Sequence, residues 1–255
     1  MPVTAITGSA SGIGAAVSVA LRAAGHRVIG IDRANAEVLA DLSTASGREA
    51  AIAAVLEQSE GVLDGLVCCA GVGVTALSCS LILSVNYFGV SQLLDGLAGA
   101  LAKGSQPAAL VIGSVASTQP GADQQPMTEA QLAGNEADAC ALADALGQPH
   151  MAYASSKYAI TQHVRSLAKP WAEQGIRLNV VAPGAVQTPL HQASLDDARF
   201  GKAVRDFVAP LGRAGTPEEI ANLVAFLQSS QATFIHGSVV FIDGGMDAMV
   251  RPQRF

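Results

Sequence analysis

Val3-Thr4-Ala5-Ile6-Thr7-Gly8-Ser9-Ala10-Ser11-Gly12-Ile13-Gly14 is the stretch that decides the fold. Its first five residues read as a short buried strand, a glycine-rich turn follows, and an alanine-rich run to about Ala24 reads as a helix. Gly25 and His26 close that helix, residues 27–31 form a second apolar strand, and Asp32 stands at the carboxyl end of that strand. The result is one βαβ unit. Glycines at a strand-to-helix turn let backbone N–H groups approach a pyrophosphate, and the helix N-terminus adds a partial positive charge. Asp32, 18 residues past Gly14, is spaced to hydrogen-bond the adenosine ribose. The three glycines alone would signify only a tight turn with close helix packing. With the strand before them, the helix after them and Asp32 beyond, they predict a dinucleotide site. Asp32 repels a 2'-phosphate and no basic residue lies between Gly8 and Gly14, so NAD is predicted in preference to NADP, with Arg33 the nearby cation that opposes the choice.

The same alternation continues outward. Residues 38–42 read as a third short strand, 44–59 as a helix, 63–69 as a fourth strand, 81–102 as a long helix and 108–112 as strand five. A helix over 153–174, strand six over 177–182 and strand seven over 239–242 complete the pattern. Strands alternating with helices predict an α/β Rossmann fold, a doubly wound parallel sheet of about seven strands with helices on both faces. No linker divides the chain, so a single NAD-binding domain over 1–255 is expected. Two segments break the rhythm: residues 119–149, polar with alanine-rich helical stretches, read as an insertion, and 189–210 as a loop with short helical pieces. Thr216-Pro217-Glu218-Glu219 has the residues of a capped helix start.

Bulk properties exclude several classes. Charged residues make up 14% of the 255 and hydrophobic ones 50%, a globular balance, and the net charge of -6 argues against nucleic acid as a partner. Residues 65–94 contain no charged side chain, but glycines, serines and Asn86 interrupt the run, so a buried strand and helix are expected in place of a membrane span. Cys68, Cys69, Cys79 and Cys140 have neither metal spacing nor a bridge framework, so no metal is expected. Reduced thiols and the lack of a signal-peptide pattern at Met1-Pro2-Val3-Thr4 predict a cytoplasmic location.

Tyr153-Ala154-Ser155-Ser156-Lys157 carries the chemistry. On a helix these end residues are surface neighbours. A free phenol titrates near pKa 10, and a close cation lowers that value. A drop of about three units needs roughly 4 kcal/mol, which one ammonium at ~4 Å can supply at an effective dielectric of ~20. A tyrosine packed in the core beside a solvated lysine would have the same spacing.

With Thr7-Gly8-x-x-x-Gly12-Ile13-Gly14 in front and Tyr153-x-x-x-Lys157 behind, the chain resembles the short-chain dehydrogenase/reductase family over nearly its whole length. The resemblance implies Tyr153 as general acid/base, Lys157 as the cation that lowers its pKa and holds the nicotinamide ribose, Ser114 as hydrogen-bond partner of the reacting oxygen, and Asn86 in a water relay from Lys157. Asn86 could otherwise buttress backbone, Ser114 could merely end strand five, and Ser117 competes with it. The cofactor residues implied are Gly8, Ser11, Gly12, Ile13, Gly14, Asp32, Asp41, Leu42, Ala70, Gly71, Tyr153, Lys157, Pro183, Gly184, Val186 and Thr188. Cys68-Cys69 stands where the family often has Asn-Asn. The runs 243–252 and 85–89, with the insertion before the tyrosine, resemble those family members that interconvert the 3α-hydroxyl and 3-ketone of steroids with NAD and reduce other carbonyl compounds. That implies a small apolar alcohol or ketone such as a steroid as substrate. Leu190, Leu195, Phe200 and Phe207 are the expected lining, unless they only pack the loop. Another alcohol, polyol or acyl substrate, or dinucleotide sensing without turnover, are the rival readings. The family commonly pairs subunits through the helices beginning near Leu81 and Tyr153. An insertion feeding into the second predicts a homodimer in which 119–149 takes part.

Overall fold

A computed structural model describes residues 1–254. Its scaffold is one sheet of seven parallel strands: β1 (Val3–Thr7), β2 (Arg27–Asp32), β3 (Val38–Leu39), β4 (Gly65–Cys68), β5 (Ala108–Ile112), β6 (Arg177–Pro183) and β7 (Val239–Ile242), in the order β3-β2-β1-β4-β5-β6-β7. Strand side chains alternate between two apolar layers. Ala5, Ile29, Leu66, Val111 and Val180 face one core, and Ile6, Val28, Val67, Ile112 and Val181 the other. Helices α1 (Gly12–Ala23) and α11 (Pro217–Gln228) cover the second face. On the first lie α2 (Ala45–Gln58), α3 (Cys79–Leu83), α4 (Gly89–Leu101) and α7 (Pro149–Ser166), the last followed by the short α8 (Ala168–Ala172).

Several boundaries differ from the sequence reading. β3 has two residues instead of five because its partner β2 ends at Asp32, whose carbonyl accepts the last bond of the pair from the Ala40 N–H at 2.9 Å, after which the chain turns towards the cleft. β4 is limited to the four residues that pair with β1. The long apolar helix is α3 and α4 joined by a π turn, Ser84–Phe88, in which the Gly89 N–H bonds the Ser84 carbonyl five residues back. The run Cys79–Leu101 is long and apolar enough to cross a membrane, yet 61% of its most apolar window is buried inside the domain. α7 starts four residues before Tyr153, with Pro149 in its first turn.

The insertion forms α5 (Pro126–Leu132) and α6 (Glu136–Leu146), whose Met127, Ala139 and Ala143 are buried against the first core. Its inner surface is therefore used within its own chain, and Leu132, Leu142 and Leu146 remain partly exposed outside. Residues 189–210 contain α9 (Pro189–Asp196) and α10 (Gly201–Asp206), and Thr216 forms a full capping box with Glu219 ahead of α11. The short α12 (Met246–Val250) follows β7, an edge strand half-exposed along its length.

Candidate active site

Parallel strands place all their carboxyl ends on one edge, and where the order reverses, between β1 and β4, the loops diverge and leave a crevice. A cleft of about 490 Å³ opens there. Its floor is the glycine turn. Gly8 has a φ of 67°, and a Cβ on it would fall 2.9 Å from the Ala70 backbone. A Cβ on Gly14 would fall 2.1 Å from the Gly8 carbonyl oxygen. No side chain fits at either position, so the turn closes to bare backbone at the mouth of α1, as a pyrophosphate requires. The Asp32 carboxylate fixes the adjoining corner by accepting from the Ala10 N–H at 3.0 Å and the Arg33 N–H at 2.7 Å. Asp41 lies beyond it; hydrogen bonds from Ser43, aided by Arg33, hold its carboxyl below the ordinary range. By its shape and donors this half fits a dinucleotide.

The reactive half lies where β5 ends. Ser114 is extended, and its Oγ accepts from the Ala116 N–H at 3.1 Å, so the hydroxyl hydrogen is directed elsewhere. α7 brings Tyr153 and Lys157 to the same wall. The ammonium lies 5.9 Å from the centroid of the tyrosine ring and donates to the Ile112 carbonyl at 2.9 Å. Burial lowers the Lys157 pKa to about 8, with Cys69 and Cys68 opposing that shift. Burial raises the Tyr153 pKa and the Ser114 hydroxyl draws it back. The direction is opposite to the sequence expectation that Lys157 brings the phenol down. The physical reason is that desolvation of the phenolate outweighs the Ser114 hydrogen bond that favours it, while the ammonium gives its own hydrogen bond to the Ile112 carbonyl. Burial also pushes the Cys68 thiol up to about 12 and the Cys69 thiol up as well, so both stay protonated beside Lys157.

Asn86 sits in the π turn, fully buried beneath the wall. Its Oδ1 accepts from the Val72 N–H at 2.9 Å, and its Nδ2 donates to the Val72 carbonyl at 3.0 Å and to Ser156 Oγ at 3.2 Å. Between Asn86 and Lys157 lies Gly71, where a Cβ would come within 3.2 Å of Asn86 Oδ1 and 3.8 Å of Lys157 Nζ.

The cleft wall gathers Ser11, Gly12, Ile13, Leu42, Ala70, Pro183, Gly184, Val186 and Thr188 with the groups above. Of the four apolar residues expected to line a substrate, only Leu190 is on the wall. It packs so closely over Gly73 that a Cβ there would lie 3.1 Å from its Cδ2. Leu195 is off the wall, Phe200 stacks with Arg199 at 4.9 Å, and Phe207 is exposed, since α9 and α10 turn these faces away. The wall also holds residues that the sequence reading missed: Val72, Val74, His191, Ser194 and Val204 among them. Leu190 and Ser194 are one helical turn apart, so a helix assigned to 189–196 would have pointed to Ser194 in place of Leu195.

Comparisons with known proteins agree with this geometry. Residues 2–130 match the short chain dehydrogenase family, and residues 139–247 match a family described as enoyl-(acyl carrier protein) reductase. The chain is 49% identical to a 3-alpha-hydroxysteroid dehydrogenase/carbonyl reductase of Comamonas testosteroni over the full length of both. It is 32% identical to the 3-oxoacyl-[acyl-carrier-protein] reductase FabG of Escherichia coli over 94% of this chain and 95% of that one. The crystal structure of the 3-alpha-hydroxysteroid dehydrogenase from Pseudomonas sp. B-0831, complexed with NADH, superposes with a TM-score of 0.98 at 63% identity, covering 99% of this chain and all of that one.

Proposed function

The chain belongs to the short-chain dehydrogenase/reductase family of oxidoreductases acting on alcohol and ketone groups, and on that premise we propose that it interconverts the 3α-hydroxyl and 3-ketone of steroids with NAD, and reduces other carbonyl compounds. The observation that carries this reading is the continuity of one cleft from the glycine turn to Ser114, Tyr153 and the apolar Leu190. The full-length likeness to two hydroxysteroid dehydrogenases supports the steroid.

NAD, when bound, supplies the carbon that takes up or gives the hydride. The chain supplies the rest. Hydride leaves a carbinol carbon only as the hydroxyl proton departs, so one oxygen needs an acid/base group and an orienting donor. Tyr153 moves that proton at its phenol oxygen, and Ser114, its hydroxyl hydrogen free of the Ala116 contact, orients the same oxygen. Lys157 holds the ribose beside the phenol. Asn86 serves a proton path from Lys157, for which the missing side chain of Gly71 leaves room. On the other side Asp32 and Asp41 face the adenosine, and Asp32 sets the preference for NAD over NADP.

The same reading places the protein in the cytoplasm, in keeping with four unpaired thiols, as a homodimer. α5 and α6 cover the outward side of α3 and α7, and residues 119–149 would join the contact through Leu132, Leu142 and Leu146, which are exposed on their outer side. Sedimentation at micromolar concentration measures the assembly.

The deciding experiment follows NADH oxidation with a 3-ketosteroid, a small ketone, a ketose and a 3-oxoacyl thioester, and repeats the best substrate with NADPH. The steroid is expected to show the highest kcat/KM, and NADH to exceed NADPH at least about tenfold. A higher kcat/KM for the thioester would move the assignment to acyl reduction.

A further inference from the structure

Arg48, on α2, is the largest fully buried side chain among the described residues, at 1% exposure. A guanidinium cannot shed its charge and is costly to bury without partners. Here it has partners from four directions. Nε donates to Gln92 Oε1 on α4 at 2.8 Å. Nη1 donates to the Leu42 carbonyl at 3.2 Å and to the Ser84 carbonyl, which opens the π turn, at 3.4 Å. The two outer nitrogens form a fork on Glu136, with Nη1 to Oε1 at 3.1 Å and Nη2 to Oε2 at 2.5 Å.

Glu136 is the first residue of α6, so the insertion supplies the counterion. Leu42 belongs to the cleft wall. Gly89 lets the Leu42 carbonyl rest on the helix, since a Cβ there would lie 3.3 Å from that oxygen. α6 is tied to the same region a second time, through Asp144 Oδ1, which accepts from the Ser80 N–H at 2.8 Å.

We propose that Arg48 is a positioning residue for the adenine end of the cofactor cleft, and that Glu136 of the insertion sets its direction. This rests on the reading of Asp41 and Leu42 as the adenosine side. Neither Arg48 nor Glu136 lines the cleft. Arg48 acts by pinning the Leu42 carbonyl, which fixes the loop against which the adenine is held. Glu136 keeps the guanidinium aimed at that carbonyl.

The test uses AMP as a competitive inhibitor against NADH at a fixed ketosteroid concentration, in the unaltered protein, in Glu136→Gln, and in the double variant Arg48→Met/Glu136→Leu. The double variant leaves no buried charge unpaired and therefore reads the loop separately from folding. Both variants are expected to raise the AMP inhibition constant and the KM for NADH about five- to tenfold, with kcat at saturating NADH within about twofold. An AMP constant unchanged in both overturns the inference, and so does a fall in kcat alone, which would place the brace on the Asn86 side. Should Glu136→Gln fail to fold, the double variant decides alone. If AMP does not compete in the unaltered protein, the adenosine assignment itself falls, and this inference with it.

Discussion

Lys157 Nζ lies 5.9 Å from the centre of the Tyr153 ring and gives its hydrogen bond to the Ile112 carbonyl, so the ammonium is anchored to the end of β5 and not to the phenol. Burial holds its pKa at about 8, against 10.5 for an ordinary lysine. Below pH 8 both folded and unfolded chains carry the proton, and the folded one bears the cost of a buried charge. Between about pH 8 and 10.5 the folded form has lost the proton and the unfolded form retains it, so stability rises with pH through that window. The gain relative to Lys157→Met is expected to be on the order of 3 kcal/mol. Denaturant melts of the cofactor-free proteins at both ends of the window measure it; parallel pH profiles would refute it.

Tyr153→Phe keeps the ring and removes the proton. Its kcat is expected to fall about 10²- to 10⁴-fold, with NADH affinity by fluorescence titration within about twofold. Near-normal turnover would assign the proton to another group.

Gly14→Ala places a methyl 2.1 Å from the Gly8 carbonyl oxygen and must open the turn. Cofactor at 100 times its dissociation constant is expected to stabilise the unaltered protein by about 2.7 kcal/mol. Thermal melts of the variant with and without NADH are expected to coincide; a full shift would remove the turn from the binding site.

Asn86 clasps both polar groups of Val72 from a fully buried position. Asn86→Leu leaves them without that partner and is expected to cost at least about 1–3 kcal/mol, read by chemical denaturation. Gly71→Ala keeps the clasp but fills the gap towards Lys157, so it is expected to lower kcat more than stability. Equal effects on both would mean that Asn86 serves only to hold the loop.

Leu190 closes over Gly73 at the apolar mouth of the cleft. Leu190→Ala is expected to raise KM for a ketosteroid about tenfold or more and to leave a small ketone within twofold. A uniform change would show that the residue only packs α9.

What was legible in the sequence follows from how much of the answer is local. β5 and β7 match the reading residue for residue, because each is a short apolar run. The glycine turn was equally readable, since its requirement is absolute: no Cβ fits. The π turn was not readable, because a continuous apolar helix has the same pattern whether its bonds span four residues or five. The direction of the Tyr153 shift was hidden for a related reason. Spacing along a helix shows that two side chains are neighbours, but burial and the Ser114 hydroxyl, which set the balance, come from elsewhere in the fold. The loop 189–210 yielded one lining residue of four because composition carried no phase; the helical register of α9 selects Leu190 and Ser194.

The two borders of the sheet are unequal. β3 offers two residues, and the neighbouring Gly30 N–H of β2 is taken by Glu37, so that border gives a neighbour little to pair with, whereas β7 runs for four partly exposed residues with no strand beyond it among the described residues. An assembly that grows by strand pairing needs two adhesive borders, one to receive and one to extend. Of the two borders β7 alone offers a run of such positions, so strand pairing has one place to begin and no second from which to propagate into a fibre.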